Sequence, residues 1–286
     1  MKIIYLMGAG RSGTTMLATL LGNAPGIQTL GEMHQFLDYY LEDKPLSNGE
    51  LLRESEFWAP VVKQMEAQFT REELVRWNKH RDKVEGHGHI PASLLSSNKK
   101  YQEFQKSLFD IIAQVHQSPA VLDSAKYISR GLQLARMDKK RVKIIYVVRD
   151  VRGVIYSFGK NVQTPKKPLA AMVYYSLINK FGLLAQWVLG SKQVMRLRYE
   201  SVVEQPEQSL MRIQDFVGID LSSVSEKLAN NEAFDMPPIV AGNRMAAAKE
   251  IKLNPDFSWK REQSRPAQIL YYLLNLPLQL IFKYRL

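Results

Sequence analysis

The chain has 286 residues, 45% of them hydrophobic and 23% charged, with 39 Lys and Arg against 28 Asp and Glu, a formal charge of +11. That balance favours anionic ligands, whether a nucleotide, a sulfated product, nucleic acid or an acidic membrane surface. With no cysteine in the sequence, disulfides, zinc thiolate sites and thiol nucleophiles are excluded.

The opening apolar run from Ile3 to Met7 is too short for a signal peptide and leads straight into a glycine turn. No window carries the roughly 18 or more apolar residues of a spanning helix, so the expected location is the cytoplasm. Runs at Lys2 to Met7, Ile27 to Leu30, Ala120 onward, Val142 to Val148 and Gln193 to Leu197 read as short strands. Between them lie helical patterns at Thr14 to Gly22, Lys100 to His116, Leu169 to Leu189 and Pro206 to Val217. The long, mostly apolar segment 169–189 reads as well buried. This alternation predicts an α/β fold of three layers, with a central parallel sheet flanked by helices. Residues 38–98 are polar and lack strand-like runs. They read as a helical insertion near an acceptor site, within a single domain spanning the chain. Residues 266–286 read as one apolar C-terminal helix, packed on the core or lying on a membrane surface.

Each strand-like run is followed by a polar cluster: GAGRSGTT (Gly8 to Thr15), GEMH (Gly31 to His34), DSAK (Asp123 to Lys126), RDVRGVIYS (Arg149 to Ser157) and Tyr199-Glu200. In an open parallel sheet, ligands bind beyond the carboxyl ends of the strands, so the five clusters converge on one crevice. The first is an anion cradle, because turn amides and the positive helix end face the same point. A nucleoside-triphosphatase loop needs a lysine where Thr14 stands. Here the cation is Arg11, inside the loop, and no run ends in a carboxylate devoted to magnesium. A fixed guanidinium with backbone donors suits transfer of a sulfuryl group, which carries about one charge fewer than a phosphoryl group, without metal.

These motifs resemble the sulfotransferases that use 3′-phosphoadenosine 5′-phosphosulfate (PAPS), with features of the bacterial and tyrosylprotein branch. The 5′-phosphosulfate loop corresponds to Arg11-Ser12-Gly13-Thr14-Thr15, and the 3′-phosphate motif to Arg149 with Ser157 eight residues on. Arg198-Tyr199-Glu200, Pro206, Phe216-Val217-Gly218, Gly31-Glu32 and Gly242-Asn243-Arg244 extend the likeness to about residue 260. The resemblance implies that Gly10, Arg11, Ser12, Gly13, Thr14 and Thr15 hold the 5′ end of the donor. It implies that Arg149, Ser157 and Arg244 hold the 3′-phosphate and that Tyr199 lies on the adenine. Arg11 and Lys126 would stabilise the leaving oxygen, and Glu32 would be the base, with His34 its competitor. Asp150 is expected to cap a helix. The acceptor is an unidentified hydroxyl, with a glycan or glycolipid favoured. The competing readings are a kinase-like phosphotransferase and a non-catalytic nucleotide or polyanion binder. The first expects a lysine at position 14. The second expects basic stripes interleaved with aromatics if the anion is nucleic acid, and the sequence lacks them.

Overall fold

A computed structural model describes residues 1–160, 164–236, 239–241 and 250–286. The first half runs β1 (Lys2–Gly8), α1 (Thr14–Gly22), β2 (Ile27–Gly31), α2 (Phe36–Leu41), α3 (Trp58–Gln68), α4 (Arg71–Arg81), α5 (Ile90–Leu95) and α6 (Lys99–His116). The centre comprises β3 (Ala120–Lys126), α7 (Ile128–Met137), β4 (Val142–Val148), α8 (Val151–Gly159), α9 (Pro168–Leu189) and β5 (Val194–Arg198). There follow α10 (Tyr199–Glu204), α11 (Pro206–Val217), α12 (Ser222–Ala229), a small pair β6 (Phe234–Asp235) and β7 (Glu250–Ile251), α13 (Trp259–Glu262), α14 (Arg265–Leu274) and α15 (Leu276–Ile281).

Strands β1 to β5 form one parallel sheet in the order β2-β3-β1-β4-β5. Alternation of side chains along each strand builds two cores. Ile3, Tyr5, Met7, Ile144 and Tyr146 pack on the face covered by α6, α7, α9 and the insertion. Ile4, Leu6, Leu122, Ile145 and Val147 pack on the other face with Leu17 and Leu20 of α1 and Leu210 and Ile213 of α11. The expected three layers are therefore present. Because β1 lies between β3 and β4, the turns after all three strands meet at the middle of the sheet's carboxyl edge.

Three sequence expectations change. The DSAK segment is not a turn after β3 but its last four residues. A register shift opposite β1 between Tyr5 and Met7 absorbs an extra residue there, and Lys126 adopts φ 72. Asp123, in register with Tyr5 before the shift, is sealed into the core. Second, α9 is not buried all round. Its sheet-facing stripe is Ala171, Tyr175, Ile178, Gly182 and Ala185, while Leu177, Leu184 and Trp187 on the other side are exposed. Composition alone does not reveal that no element covers a helix's second face. Third, the C-terminal helix is two helices meeting at Asn275. Pro277 lacks an N–H and its ring would strike the preceding turn, so a continuous helix cannot form. Tyr272, Leu278, Phe282 and Tyr284 anchor this pair on the core.

Candidate active site

The loop after β1 turns inward through left-handed backbone at Arg11 (φ 69) and Gly13 (φ 91). Such a turn costs a non-glycine residue about 1 kcal/mol, and it aims successive amides at one point. Gly13 has a second reason to be glycine: a Cβ there would lie 2.4 Å from the Tyr199 ring. Of the loop's donors, the Gly10 amide is bonded to the Tyr174 hydroxyl at 2.9 Å. The Ser12 hydroxyl is buried without a partner among the described residues. Thr14 and Thr15 open α1, both buried.

Beyond β4, the Arg149 guanidinium reaches the loop and donates from Nη1 to the carbonyl of Arg11 at 3.2 Å. It lies 4.2 Å above the Tyr199 ring and donates from Nη2 to the Asp256 carbonyl at 2.8 Å. The Asp256 carboxylate is 3.5 Å away. The Arg149 Nε is buried without a partner among the described residues. Ser157, in the last turn of α8, accepts from Arg11 Nε at 2.9 Å. Burial, and next the neighbouring charge of Arg149, hold the Arg11 guanidinium below its ordinary range. The two arginines expected to grip opposite ends of one ligand thus lie side by side. Asp150 accepts from the Arg152 amide at 2.9 Å as the N-cap of α8.

The turn after β2 supplies Glu32. Gly31 (φ 90) allows the chain to pass against Val240, whose carbonyl accepts from the Glu32 amide at 2.8 Å. A Cβ at Gly31 would lie 2.3 Å from that oxygen. Glu32 forms an ion pair with Lys126, which the irregular end of β3 points across the crevice. Glu32 also shares a small pocket with Thr15, Ser124 and Met236. His34 sits one turn on, edge-on to Tyr127 at 4.8 Å, with its Nδ1 buried and unpartnered among the described residues. Burial first, then Arg130, Lys126 and Arg81, lower its pKa to about 3. It is therefore neutral at pH 7 and a weak proton acceptor.

Several contributors escape sequence reading. Tyr174 reaches the loop from α9, and His87 of the insertion lies against both Tyr127 and Tyr174, at 5.1 and 5.4 Å. Asp256 accepts from Arg149 and donates its amide to the Tyr199 hydroxyl at 3.0 Å. None of these stands in a motif; only the fold brings them to the loop. Arg244, expected at the 3′-phosphate, lies outside the described residues. Glu85, beside the histidines of the insertion, is paired to Arg130 at 2.7 Å.

The arrangement is an anion cradle with two adjacent guanidinium groups and a carboxylate facing a lysine. The sequence profile of the Sulfotransferase family matches residues 4–223. This chain belongs to the sulfotransferase family. It is accordingly an enzyme of sulfuryl transfer. No curated protein matches the sequence. Among solved structures, the chain is similar to the sulfotransferase domain of the Synechococcus PCC 7002 olefin synthase, at 18% identity and a TM-score of 0.60, covering 99% of this chain and 95% of that one. The sulfotransferase domain from the curacin biosynthetic pathway is 18% identical with a TM-score of 0.54, covering 100% and 98%. Mouse sulfotransferase SULT7A1, complexed with PAP, is 12% identical with a TM-score of 0.50, covering 97% and 84%. At these identities the likeness speaks for the fold.

Proposed function

We propose that the enzyme takes its sulfuryl group from PAPS and delivers it to an acceptor hydroxyl, with Glu32 as base. The observation that carries this reading is the seating of Arg149 on the carbonyl of Arg11, with the Arg149 Nε and the Ser12 hydroxyl both buried and lacking partners among the described residues. Buried donors of this kind carry a desolvation cost that an anion in the cradle offsets. The loop amides with Ser12, Thr14 and Thr15 hold the 5′ end of the donor. Arg149 and Ser157 hold the 3′-phosphate, and Tyr199, packed beneath Arg149, lies against the adenine.

When bound, the donor supplies an activated sulfur. The acceptor oxygen bonds to that sulfur as the bond from sulfur to the bridging oxygen breaks, and the bisphosphate departs. Glu32 takes the hydroxyl proton. Arg11 and Lys126 face the charge that grows on the departing oxygen, the task at which fixed cations are most effective. Glu32 is preferred to His34 because its carboxylate faces Lys126 across the crevice, whereas the His34 Nδ1 is buried. No step calls for a metal ion, since the charge is met by side chains.

The acceptor is a glycan or glycolipid hydroxyl on this reading. The ring edges of Tyr127, Tyr174 and His87 form an aromatic wall beside Glu32 and Lys126, suited to the apolar face of a sugar. Through His87 the insertion 38–98 takes part in acceptor choice, and the whole chain works as one domain in the cytoplasm.

The test is incubation with labelled PAPS and a panel of glycan, glycolipid, phenol and peptide acceptors, with and without EDTA. Label should pass to a sugar hydroxyl at an undiminished rate in EDTA, and Glu32→Gln should reduce turnover at least about 100-fold while calorimetry finds bisphosphate affinity unchanged. Loss of transfer in EDTA, or a Glu32→Gln enzyme of full turnover, rejects the corresponding part.

A further inference from the structure

We propose that α9 and the α14–α15 pair form a docking face for an anionic lipid bilayer. Leu169, Val173, Leu177, Leu184, Trp187 and Val188 are all exposed, and at 100° per residue they fall within about one third of the helix circumference. Trp187 is 80% exposed and Leu169 68% exposed, so the stripe runs the full length of α9. Beside it, Ile269, Leu270, Leu273 and Leu274 of α14 and Leu280 and Ile281 of α15 are exposed as well. The Ser176 hydroxyl bonds to Asn275 at the joint of α14 and α15, and Gln279 donates to Tyr175 at 3.0 Å. These bonds fix the tail pair alongside α9. Two apolar stripes therefore lie next to each other, on a scale that soluble surfaces rarely leave bare.

Charge identifies the occupant. Between Asp150 and Glu200 the sequence has no carboxylate side chain and eight Lys or Arg residues, and after Glu262 it again has none, with Arg265, Lys283 and Arg285. Lys167 just before α9, Lys180 on it, Arg265 at the start of α14, and Lys283 and Arg285 after α15 are all exposed. Lys180 falls inside the α9 stripe and the other cations flank the helices. An apolar surface that carries cations, in segments whose sequence has no acid, suits a bilayer with anionic headgroups. A second copy of the chain fits less well, because a two-fold contact across α9 would bring Lys180 and its symmetry mate together without a carboxylate to separate them. Among the described residues no helix is long and apolar enough to cross a membrane, so the contact is peripheral. The first turns of α9 carry Tyr174 to the phosphate loop, which places the docking face next to the site. The inference stands without regard to the donor or the base.

The test is sedimentation of the full chain with sucrose-loaded vesicles made of an equal mixture of phosphatidylcholine and phosphatidylglycerol, and of phosphatidylcholine alone. The expected result is partition at least about tenfold stronger onto the anionic vesicles, weakened in about 0.5 M salt. Leu177→Glu and Leu273→Glu, at exposed positions, should each lower it about tenfold or more with unchanged melting temperature. The wild-type chain remaining in the supernatant with anionic vesicles overturns the proposal, as does equal partition by both glutamate variants. A dimer that Leu177→Glu dissolves, with no vesicle binding, overturns it in favour of an interface between copies.

Discussion

Arg130 and Arg149 are both buried arginines, and their surroundings are opposite. Arg130, on α7, is wholly enclosed and donates to Asp123 at 2.8 Å and to Glu85 at 2.7 Å, with the Tyr101 hydroxyl 2.7 Å away. Two carboxylates surround one cation, and Tyr101 in turn donates to Glu85. Arg149 instead rests on two backbone carbonyls and an aromatic face, with a single carboxylate oxygen at 3.5 Å. Arg130, paired with two acids, is sealed in the core and out of a ligand's reach, although its Nη2 too lacks a partner among the described residues. An arginine held mainly by neutral groups at the loop keeps its charge for an incoming anion. The first joins the insertion to the sheet, since Glu85 belongs to the insertion, Tyr101 to α6 and Asp123 to β3. The second faces the crevice.

The largest effect expected from this contrast is on stability. Arg130→Met should lower unfolding free energy by about 3–5 kcal/mol, read by urea denaturation, because Asp123 and Glu85 would be left buried without their cation. Burial already pushes the Asp123 carboxyl up, and Arg130 opposes that push. A loss below about 1 kcal/mol would mean that water reaches the cluster and that the two arginines differ less than their geometry suggests.

Arg149→Ala should act the other way. Affinity for 3′-phosphoadenosine 5′-phosphate should fall about 100-fold by calorimetry, the scale of a lost charge-assisted contact. The melting temperature should stay near that of the parent, since no buried acid is orphaned. Unchanged affinity would remove Arg149 from the 3′-phosphate site.

The difference between these two arginines also marks where sequence reading stops. Arg149 and the loop were legible because the motif and the strand before it are contiguous, and a parallel sheet sends every such turn to one edge. Strand β4 and helices α1 and α11 lie where apolar periodicity and an early proline put them. The Arg130 cluster was not legible: Glu85, Tyr101, Asp123 and Arg130 come from four segments with no shared pattern, and Asp123 read as part of a polar turn. Strand alternation turns Asp123 inward, and only the irregular end of β3, which depends on its pairing with β1, carries Lys126 outward. Tyr174 was hidden for the same reason, inside a helix whose composition hides which face it buries.

His34 senses the Arg130 side of the comparison, because Arg130 is the largest charge contribution to its lowered pKa after burial itself. Its pKa near 3 in the folded chain lies below the usual 6.5, so the unfolded chain binds the proton first. Its contribution to stability is complete above pH 6.5 and is lost as pH falls from there towards 3. His34→Gln should lose less stability than the parent between pH 7 and 5, by about 1–2 kcal/mol. Parallel pH profiles of melting would show that the imidazole is solvated and titrates normally.

Asp256→Asn gives the smallest expected effect and the finest test of the contrast. Arg149 and Lys160 hold the Asp256 carboxyl below its ordinary range in spite of its burial, so it is charged at neutral pH. Its backbone carbonyl, not its side chain, makes the closer bond to Arg149, and the amide would retain that placement. Removing the charge takes away the acid paired with Arg149 among the described residues, and an anion's competitor there. Affinity for the bisphosphate should therefore rise two- to fivefold at low salt, about 0.4–1 kcal/mol, and the gain should shrink as salt screens the pair. Weaker binding in the variant would mean that Asp256 positions Arg149 rather than competing with the ligand, and that this arginine too depends on a carboxylate.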